Sequence, residues 1–593
     1  MAIPKNIKFK WIAAAVALVV AVVTCILLDR WQEYIFFYRE QNQIFLFDWQ
    51  DILSKVGDMG GFALVLSQFL VQFFKLPLLG ALVTALAGTG AAWLLWKTVA
   101  KAGSTIWAFP LCFVPLFFQE GALGDSMYLY QGFVAFFLVI AALWFYTKLF
   151  ADNGITERTI AGTVMAVLLY WMAGPAALLF AVSAAVLDLF SRKKGWCFSL
   201  IPVVAVLILG FVAVQSGLVK NLRVALLQDF YYEPMLTPGL YIHTSWIALP
   251  LVIAASLLSA KMKGLTGNIV TALVATILAL VVLFRIPNHI DRKYNDMLRL
   301  DHYVAVEDWD SILSDRTARH DNFLMMNIRN MALSHKGQLL DRLFEYPQSG
   351  IMSLLATDEE SGQNTDITVL DSHIYYQMGS TAPSQNMAFD SSVGIRFGNP
   401  SMMMRLIRTN LVWGAYGVAE KYISEMEKTW GYKEEAALMR PFLGNDSAIL
   451  ANPELGRLRR SLVDKDHFVG LDPHEDLEFI LEANPDDKAA RDYYVSYMLL
   501  AKDLEGLKAY IENDPKAYDS DGKLHTHLQE AVLVYSEEDA DYCREHGVTE
   551  ATFNRYNAFK KRFLELGANN GNPIRDMKSF SDTFWYYFMF TKI

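Results

Sequence analysis

Up to about residue 285 the chain consists mostly of long apolar runs, and none of that length recurs beyond it. A hydrocarbon core takes a helix of roughly 17–25 apolar residues, because only a helix satisfies its own backbone polar groups in lipid. Runs that reach or approach this length lie near 11–28, 78–97, 103–118, 127–147, 159–173, 174–190, 196–213, 243–260 and 266–284. The expected fold is therefore all-α, with two parts. Residues 1–290 form a polytopic transmembrane domain with about nine spans, and residues 291–593 form a soluble α-helical domain. The first run follows Lys5, Lys8 and Lys10, but no small-x-small cleavage site ends it, so it reads as a retained span rather than a signal peptide. Residues 62–74 are apolar but carry Gln68 and Gln72 and lead into Lys75 and Pro77, which suits an interfacial helix.

Charge sets the orientation. The chain has a formal net charge of −10, yet its first half holds more Lys and Arg than Asp and Glu, so the acidic excess lies in the soluble half. An acidic soluble domain excludes nucleic acid as a partner, since that binding needs concentrated positive charge. The clusters Lys5/Lys8/Lys10, Lys97/Lys101, Lys148, Arg192/Lys193/Lys194 and Lys261/Lys263 all fall on the cytoplasmic side if there are nine spans and residues 62–74 do not cross. That arrangement predicts a multi-pass protein of a bacterial inner membrane with its C-terminal domain in the periplasm. Its larger non-cytoplasmic loops are 29–77 and roughly 214–242. Four cysteines at 25, 112, 197 and 543 form neither a disulfide framework nor a zinc-like spacing.

Beyond residue 295 the apolar spacing is mainly helical, and Leu477, Ile480, Tyr494, Leu499 and Leu507 are the expected core positions of one stretch. Small residues at helix crossings, aromatics two to four positions away and the Asn484-Pro485 break resemble tetratricopeptide repeats over 295–345 and 402–570. Residues near 355–400, with Ser, Gly, Thr, Asp and Pro scattered through them, read as an irregular insertion or a long connection whose one clear helical segment surrounds His373-Ile374-Tyr375-Tyr376-Gln377. Such an array implies a surface for a partner, a brace, or a lid that shapes a substrate site.

The stretch after the first span mixes Asp29, Arg30, Glu33, Arg39, Glu40, Asp48 and Asp51 with many aromatics. Aromatic rings suit the headgroup region, whereas carboxylates there are costly unless paired or used. This layout resembles, in architecture, the GT-C-like glycosyltransferases that use polyprenyl-phosphate sugars. The resemblance implies an essential acid near the end of the first span, which Asp29 matches and for which Glu40, Asp48 and Asp51 compete. It further implies a lipid-phosphate-linked sugar as donor. The whole chain also resembles uncharacterised multi-pass proteins of Bacteroidota with a periplasmic helical-repeat tail.

In such chemistry a carboxylate takes the acceptor's proton and a cation offsets charge on the departing phosphate. The candidate catalytic residues are Asp29, Glu40 and Asp48. The candidate substrate-binding residues are Arg223, Arg285, His243 and Glu120, with Lys220 and Arg292 as further cations. The turn at Tyr231-Tyr232-Glu233-Pro234 suits a rigid interfacial corner. No metal or cofactor is expected: His525 and His527 sit about 200° apart on a helix, and His289/His302, His467/His474 and Asp541/His546 lack ligand spacing. No Walker, Rossmann or nucleophile-elbow pattern occurs. Two function classes remain. One is a periplasm-facing transferase acting on a lipid-phosphate-linked sugar, with membrane lipids around it. The other is a scaffold that recruits an envelope or secretion protein through its helical-repeat surface. A transporter fits less well, as the spans hold few charges and show no inverted repeat.

Overall fold

The computed structural model describes residues 5–592, apart from 151, 192–194, 263, 316–321, 357–363, 464–471, 519–520, 538 and 569–572. The cluster Arg192/Lys193/Lys194, Lys263, His467 and part of the 355–400 stretch lie outside the described residues, as do the side chains of Lys5, Lys8 and Lys10. Every named element is helical, and pairing between extended residues is confined to isolated bridges among the described residues. The chain divides into two units, residues 1–295 with Lys428–Gly431, and Asp296–Glu427 with Tyr432–Ile593.

The first unit contains α1 (Lys5–Gln41), α2 (Trp49–Gly57), α3 (Gly61–Val71), α4 (Leu79–Lys101), α5 (Val114–Ala122) and α6 (Tyr130–Phe150). It continues with α7 (Ile155–Ala173), α8 (Ala176–Phe190), α9 (Ile201–Gln215), the short α10 (Leu222–Leu226), α11 (Thr244–Ser259) and α12 (Gly264–Leu283). Among the described residues, six helical segments are long and apolar enough to cross a membrane: Trp11–Gln41, Leu79–Lys101, Tyr130–Phe150, Trp196–Gln215, Leu240–Ser259 and Gly264–His289. Shorter apolar helices occupy Gly61–Lys75, Ile106–Ala122 and Ala176–Phe190. Large apolar side chains such as Leu18, Val19 and Ile26 on α1, Phe211 on α9 and Leu273 on α12 are exposed. A water-soluble bundle would bury such continuous stripes, whereas lipid covers them.

Small residues bring the helices together. On α4, Gly80, Thr84 and Gly88 recur every fourth position and are buried, the spacing at which small residues let membrane helices approach closely. A Cβ at Gly80 would lie 2.6 Å from the Phe36 ring, so this glycine seats α1 on α4. Helix α7 ends at Gly174, whose φ of +66 suits glycine, and Pro175 caps α8. The two apolar windows on either side of Gly174-Pro175 are thus two helices joined by a tight turn.

The first outer loop differs from expectation. Residues 29–41 continue α1 without a break, giving a 37-residue helix about 55 Å long at 1.5 Å per residue. Asp29 therefore stands within a helix rather than at the start of a loop. The run Trp31–Gln41 is helical because it alternates buried positions (Gln32, Ile35, Phe36, Arg39) at three- and four-residue spacing.

In the second unit, consecutive helices pack on each other, including Pro473–Ala483 on Lys488–Ala501, and Leu504–Asn513 on Thr526–Tyr535. Leu477, Ile480, Leu499 and Leu507 are buried, but Tyr493 fills the core position and Tyr494 is half-buried, its hydroxyl donating to Glu478. In the 355–400 stretch, Thr365–Met378 and Thr381–Gly394 are helices packed together. The first contains the helical segment expected around His373–Gln377, with Asn364 capping it and Gly379, at φ +90, ending it; the second lies in the part expected to be irregular. Ser372 and Ser384 each donate to the other's carbonyl at 2.8 Å, so their hydroxyls hold the pair together.

His525 and His527 turn to different carboxylates. His525 Nδ1 pairs with Asp341 at 2.9 Å, while His527 Nδ1 meets Glu530 at 2.8 Å. Asp341 also accepts from Thr526 N at 2.8 Å, capping the Thr526–Tyr535 helix from a distant element. The hydrogen bond from His525 and the Thr526 N–H hold the Asp341 carboxyl well below its usual range, against the opposing effect of burial. Asp341 in turn raises His525.

Two predictions follow from this unit. Leu499→Ala empties a fully buried position and should cost about 2–5 kcal/mol in chemical denaturation; a change below about 0.5 kcal/mol would mark Leu499 as a surface site. For the ion pair, the raised His525 stabilises the fold fully below its unfolded pKa of about 6.5 and loses that contribution as pH rises through the folded value. The melting-temperature difference between wild type and His525→Gln should therefore shrink from about pH 6 to about pH 9. A difference that is constant or grows over this range would contradict the pairing.

Candidate functional site

At one end of the first unit, α1 finishes, α4, α6, α8 and α11 begin, and α5, α7 and α12 terminate. Buried polar side chains concentrate there. Arg39, 2% exposed, reaches the carbonyls of Leu123 (2.7 Å), Asp125 (2.9 Å) and Tyr128 (3.1 Å) through Nη2. Leu123 is the residue that ends α5, so the guanidinium neutralises the negative end of that helix as well as satisfying its carbonyl. Arg39 thus ties the last turn of α1 to the turn between α5 and α6.

Four further side chains form a closed hydrogen-bonded ring. Gln119 Nε2 donates to the Tyr128 hydroxyl (2.8 Å), which donates to Gln228 Oε1 (2.8 Å). Gln228 Nε2 donates to Ser245 Oγ (3.2 Å), which donates back to Gln119 Oε1 (2.6 Å). All four residues have 0% exposure, and each hydroxyl donates once and accepts once. Burial pushes the Tyr128 phenol above its ordinary range, so it remains a donor. The ring joins α5, the turn before α6, the loop after α10 and the start of α11.

Beside it, Asp125 accepts from the hydroxyls of Tyr232 (2.8 Å) and Tyr241. The Tyr241 ring stacks on His289 with centroids 4.7 Å apart. Tyr231, fully buried, donates to the Ala173 carbonyl at the turn between α7 and α8. The corner at 231–234 is therefore a plug in the bundle end as well as a turn.

Glu120 sits next to Gln119 and is 2% exposed. Its side chain packs against Gly88, where a Cβ would collide with Oε1. Gln32 Nε2 donates to the Glu120 main-chain carbonyl at 2.9 Å, and Tyr130 lies within electrostatic reach of both Glu120 and Arg39. The Tyr130 hydroxyl meets Thr84 Oγ1 at 3.1 Å. Glu120 Oε2 and Gln32 Oε1 are buried without a hydrogen-bond partner among the described residues. A buried carboxylate oxygen with no partner is expensive, and such groups concentrate at working sites.

The other expected site residues fall into three groups. Arg223 and His243 converge on Asp229, with Arg223 Nη2 at 3.0 Å from Oδ1 and His243 Nε2 at 3.5 Å from Oδ2. Asp229 follows Gln228 directly, which places this trio beside the ring. Asp48 is a helix cap instead: it accepts from Gln50 N at 2.8 Å and pairs with Lys428 at 2.9 Å. The Lys428 ammonium and the Gln50 N–H hold its carboxyl below the usual range. Glu40 is buried in the last turn of α1 and accepts from Gln41 at 2.6 Å. Asp29 is half-buried, one helical turn from Cys25 and from Glu33, and Arg285 is exposed near the end of the last apolar helix.

Sequence reasoning assigned no role to Gln119, Tyr128, Gln228, Ser245 or Asp229. Their available signal was a lone amide or hydroxyl inside an apolar flank, such as Gln119 after Leu116-Phe117-Phe118. No group of three His, Cys, Asp or Glu side chains suited to a metal occurs among the described residues.

These features define a polytopic, all-helical membrane protein with a buried polar centre at one bundle end, joined to a second helical unit. The chain belongs to the family described as a family of unknown function (DUF6057), whose model matches residues 7–591. No curated protein and no solved structure matches it.

Removing the Tyr128 hydroxyl tests the ring. Tyr128→Phe leaves Gln119 Nε2 and Gln228 Oε1 unpaired and should destabilise the protein by about 1–3 kcal/mol in detergent unfolding. Wild-type stability in this variant would show that the ring does not form.

Proposed function

We propose that this protein is a membrane-embedded transferase acting on a lipid-phosphate-linked sugar, with Glu120 as the proton-accepting carboxylate. The observation that carries this reading is the buried Glu120 side chain, which has one oxygen without a partner and is enclosed by α1, α4, α5 and α6. Asp48 is occupied as a cap with Lys428, which makes it a poor base, and Glu40 is engaged by Gln41. Asp29 remains a rival carboxylate on the same helix as Gln32.

In the proposed step the acceptor hydroxyl loses its proton to Glu120 as its oxygen bonds to the anomeric carbon. The bond from that carbon to the phosphate oxygen breaks, and the lipid phosphate leaves with its electron pair. Arg223, 58% exposed and held by Asp229, offsets the departing charge. This reading keeps the GT-C-like comparison as one of architecture. It places the polar end of the bundle at the periplasmic face of a bacterial inner membrane, with nine crossings and residues 62–74 interfacial. It also keeps the Bacteroidota resemblance and the tetratricopeptide-like character of the second unit's hairpins.

Glu120→Gln preserves shape and should lower consumption of a polyprenyl-phosphate sugar by about 10²–10⁴-fold at unchanged melting temperature. Asp29→Asn in the same assay is the rival comparison. Full turnover by Glu120→Gln would remove Glu120 from the chemistry, and failure of the wild type to consume any such donor would remove the transferase reading.

A scaffold that recruits an envelope protein is favoured by one observation. A cavity of about 600 Å³ in the second unit is walled by Phe389, Leu406, Trp413, Val418 and Tyr422, and Phe389 and Trp413 are exposed. Site-specific crosslinking from position 413 should then capture one defined envelope protein in cells. Diffuse or absent crosslinks would count against it.

A further inference from the structure

The second unit holds a larger cleft of about 1160 Å³, lined by residues 313–315, Arg329 and 344–348 on one side and by residues 574–591 on the other. Although this half of the chain is acidic, the exposed cations of the lining are Arg575 and Lys578, while the buried Arg329 donates to the Asp315 carbonyl at 3.3 Å. The cleft's two carboxylates are already engaged by arginines outside the lining. Asp315 pairs with Arg299 at 2.8 Å, and Glu345 pairs with Arg342 at 2.7 Å. Asp576 takes part of the charge of Arg575. The cleft is thus locally cationic on an acidic body, which selects for an anionic ligand.

The aromatic wall narrows the choice. Tyr346 and Tyr586 are half-buried, and both hydroxyls are spent on main-chain carbonyls, of Leu313 (3.0 Å) and Ile574 (2.8 Å). What they offer a ligand is ring surface, with Tyr346 carrying the Arg329 guanidinium 5.1 Å from its centroid on one side. The amide that could have served a peptide backbone is spent as well, since Gln348 donates to Leu343 O (2.6 Å) and exchanges hydrogen bonds with Asn330. Peptides that add a strand need an open sheet edge, and pairing of extended residues here is limited to isolated bridges among the described residues. An amphipathic helix needs an apolar groove, not one rimmed by Arg575 and Lys578. The volume slightly exceeds that of an ordinary small-molecule pocket, roughly 300–1,000 Å³, and suits a short oligomer.

We propose that this cleft binds an acidic oligosaccharide, with sugar faces on Tyr346 and Tyr586 and sugar carboxylates on Lys578 and Arg575. The site is independent of the transferase reading, and Glu120→Gln should bind as the wild type does.

Titration calorimetry of the full-length protein in detergent micelles, with trigalacturonate as the probe, tests the assignment. Wild type should bind, and the double variant Arg575→Glu, Lys578→Glu should bind at least about tenfold more weakly. Both side chains are exposed, so its melting temperature should not change. Lys578→Arg should retain binding, and neutral cellotriose should bind at least about tenfold more weakly than trigalacturonate. No binding of trigalacturonate, binding unaffected by the charge reversal, or equal binding of cellotriose would overturn the proposal. Tighter binding of a polyglutamate peptide that is lost in the same double variant would overturn it in favour of an acidic peptide.

Discussion

A polar group buried where water cannot reach must find its partner within the protein, and the first unit is organised by that requirement. Gln119, Tyr128, Gln228 and Ser245 meet it by closing on one another, so every side-chain nitrogen and oxygen of the ring has a partner. Each member comes from a different segment, which makes the ring a statement of tertiary register: a shift of any one helix end would open it. Arg39 extends the same logic to main-chain carbonyls, fastening the turn at 123–128 to α1. Glu120 departs from that rule: its neighbours Gly88, Gln32 and Tyr130 are held by packing and hydrogen bonds, yet Glu120 Oε2 has no hydrogen-bond partner among the described residues, nor do Gln32 Oε1, Arg39 Nη1 and Asp229 Oδ2 close by. Several unsatisfied polar atoms gathered at one bundle end are the pattern expected where a structure gives up stability for work.

The same physics explains what could be read from the sequence. Lipid demands unbroken apolar helices, so long apolar runs stand out in the residue order: of the nine expected spans, six fall on helices long and apolar enough to cross among the described residues, and helical spacing located Leu477, Ile480, Leu499 and Leu507 in the core. The error at Tyr494 was one position, because Tyr493 and Tyr494 carry the same signal and only the packing partner decides between them. The helix through residue 41 was hidden by charges that turn out to be inward contacts, Arg39 above all. In the 355–400 stretch the helix around His373–Gln377 was legible, whereas Thr381–Gly394 was hidden by its serines, one of which bonds across to the first helix.

The polar centre was legible only in part. Glu120, Arg223 and His243 drew attention as isolated polar residues near apolar ends, and two of them meet on Asp229. The ring could not be foreseen, since Gln119 and Ser245 are 126 residues apart and nothing local couples them. Asp48 shows the converse: an acid among aromatics looked reactive, but an Asp two residues before an amide it can cap is a helix start.

Carboxyl footprinting on the protein in its native membrane tests the enclosure of Glu120 most directly. Asp58, an exposed residue of the same unit, serves as the internal reference. A charged, water-soluble carbodiimide should label Asp58 and leave Glu120 unmodified, while an apolar, membrane-permeant carbodiimide should label Glu120. Modification of Glu120 by the charged reagent at a rate comparable to Asp58 would contradict a buried centre closed by Arg39 and the ring.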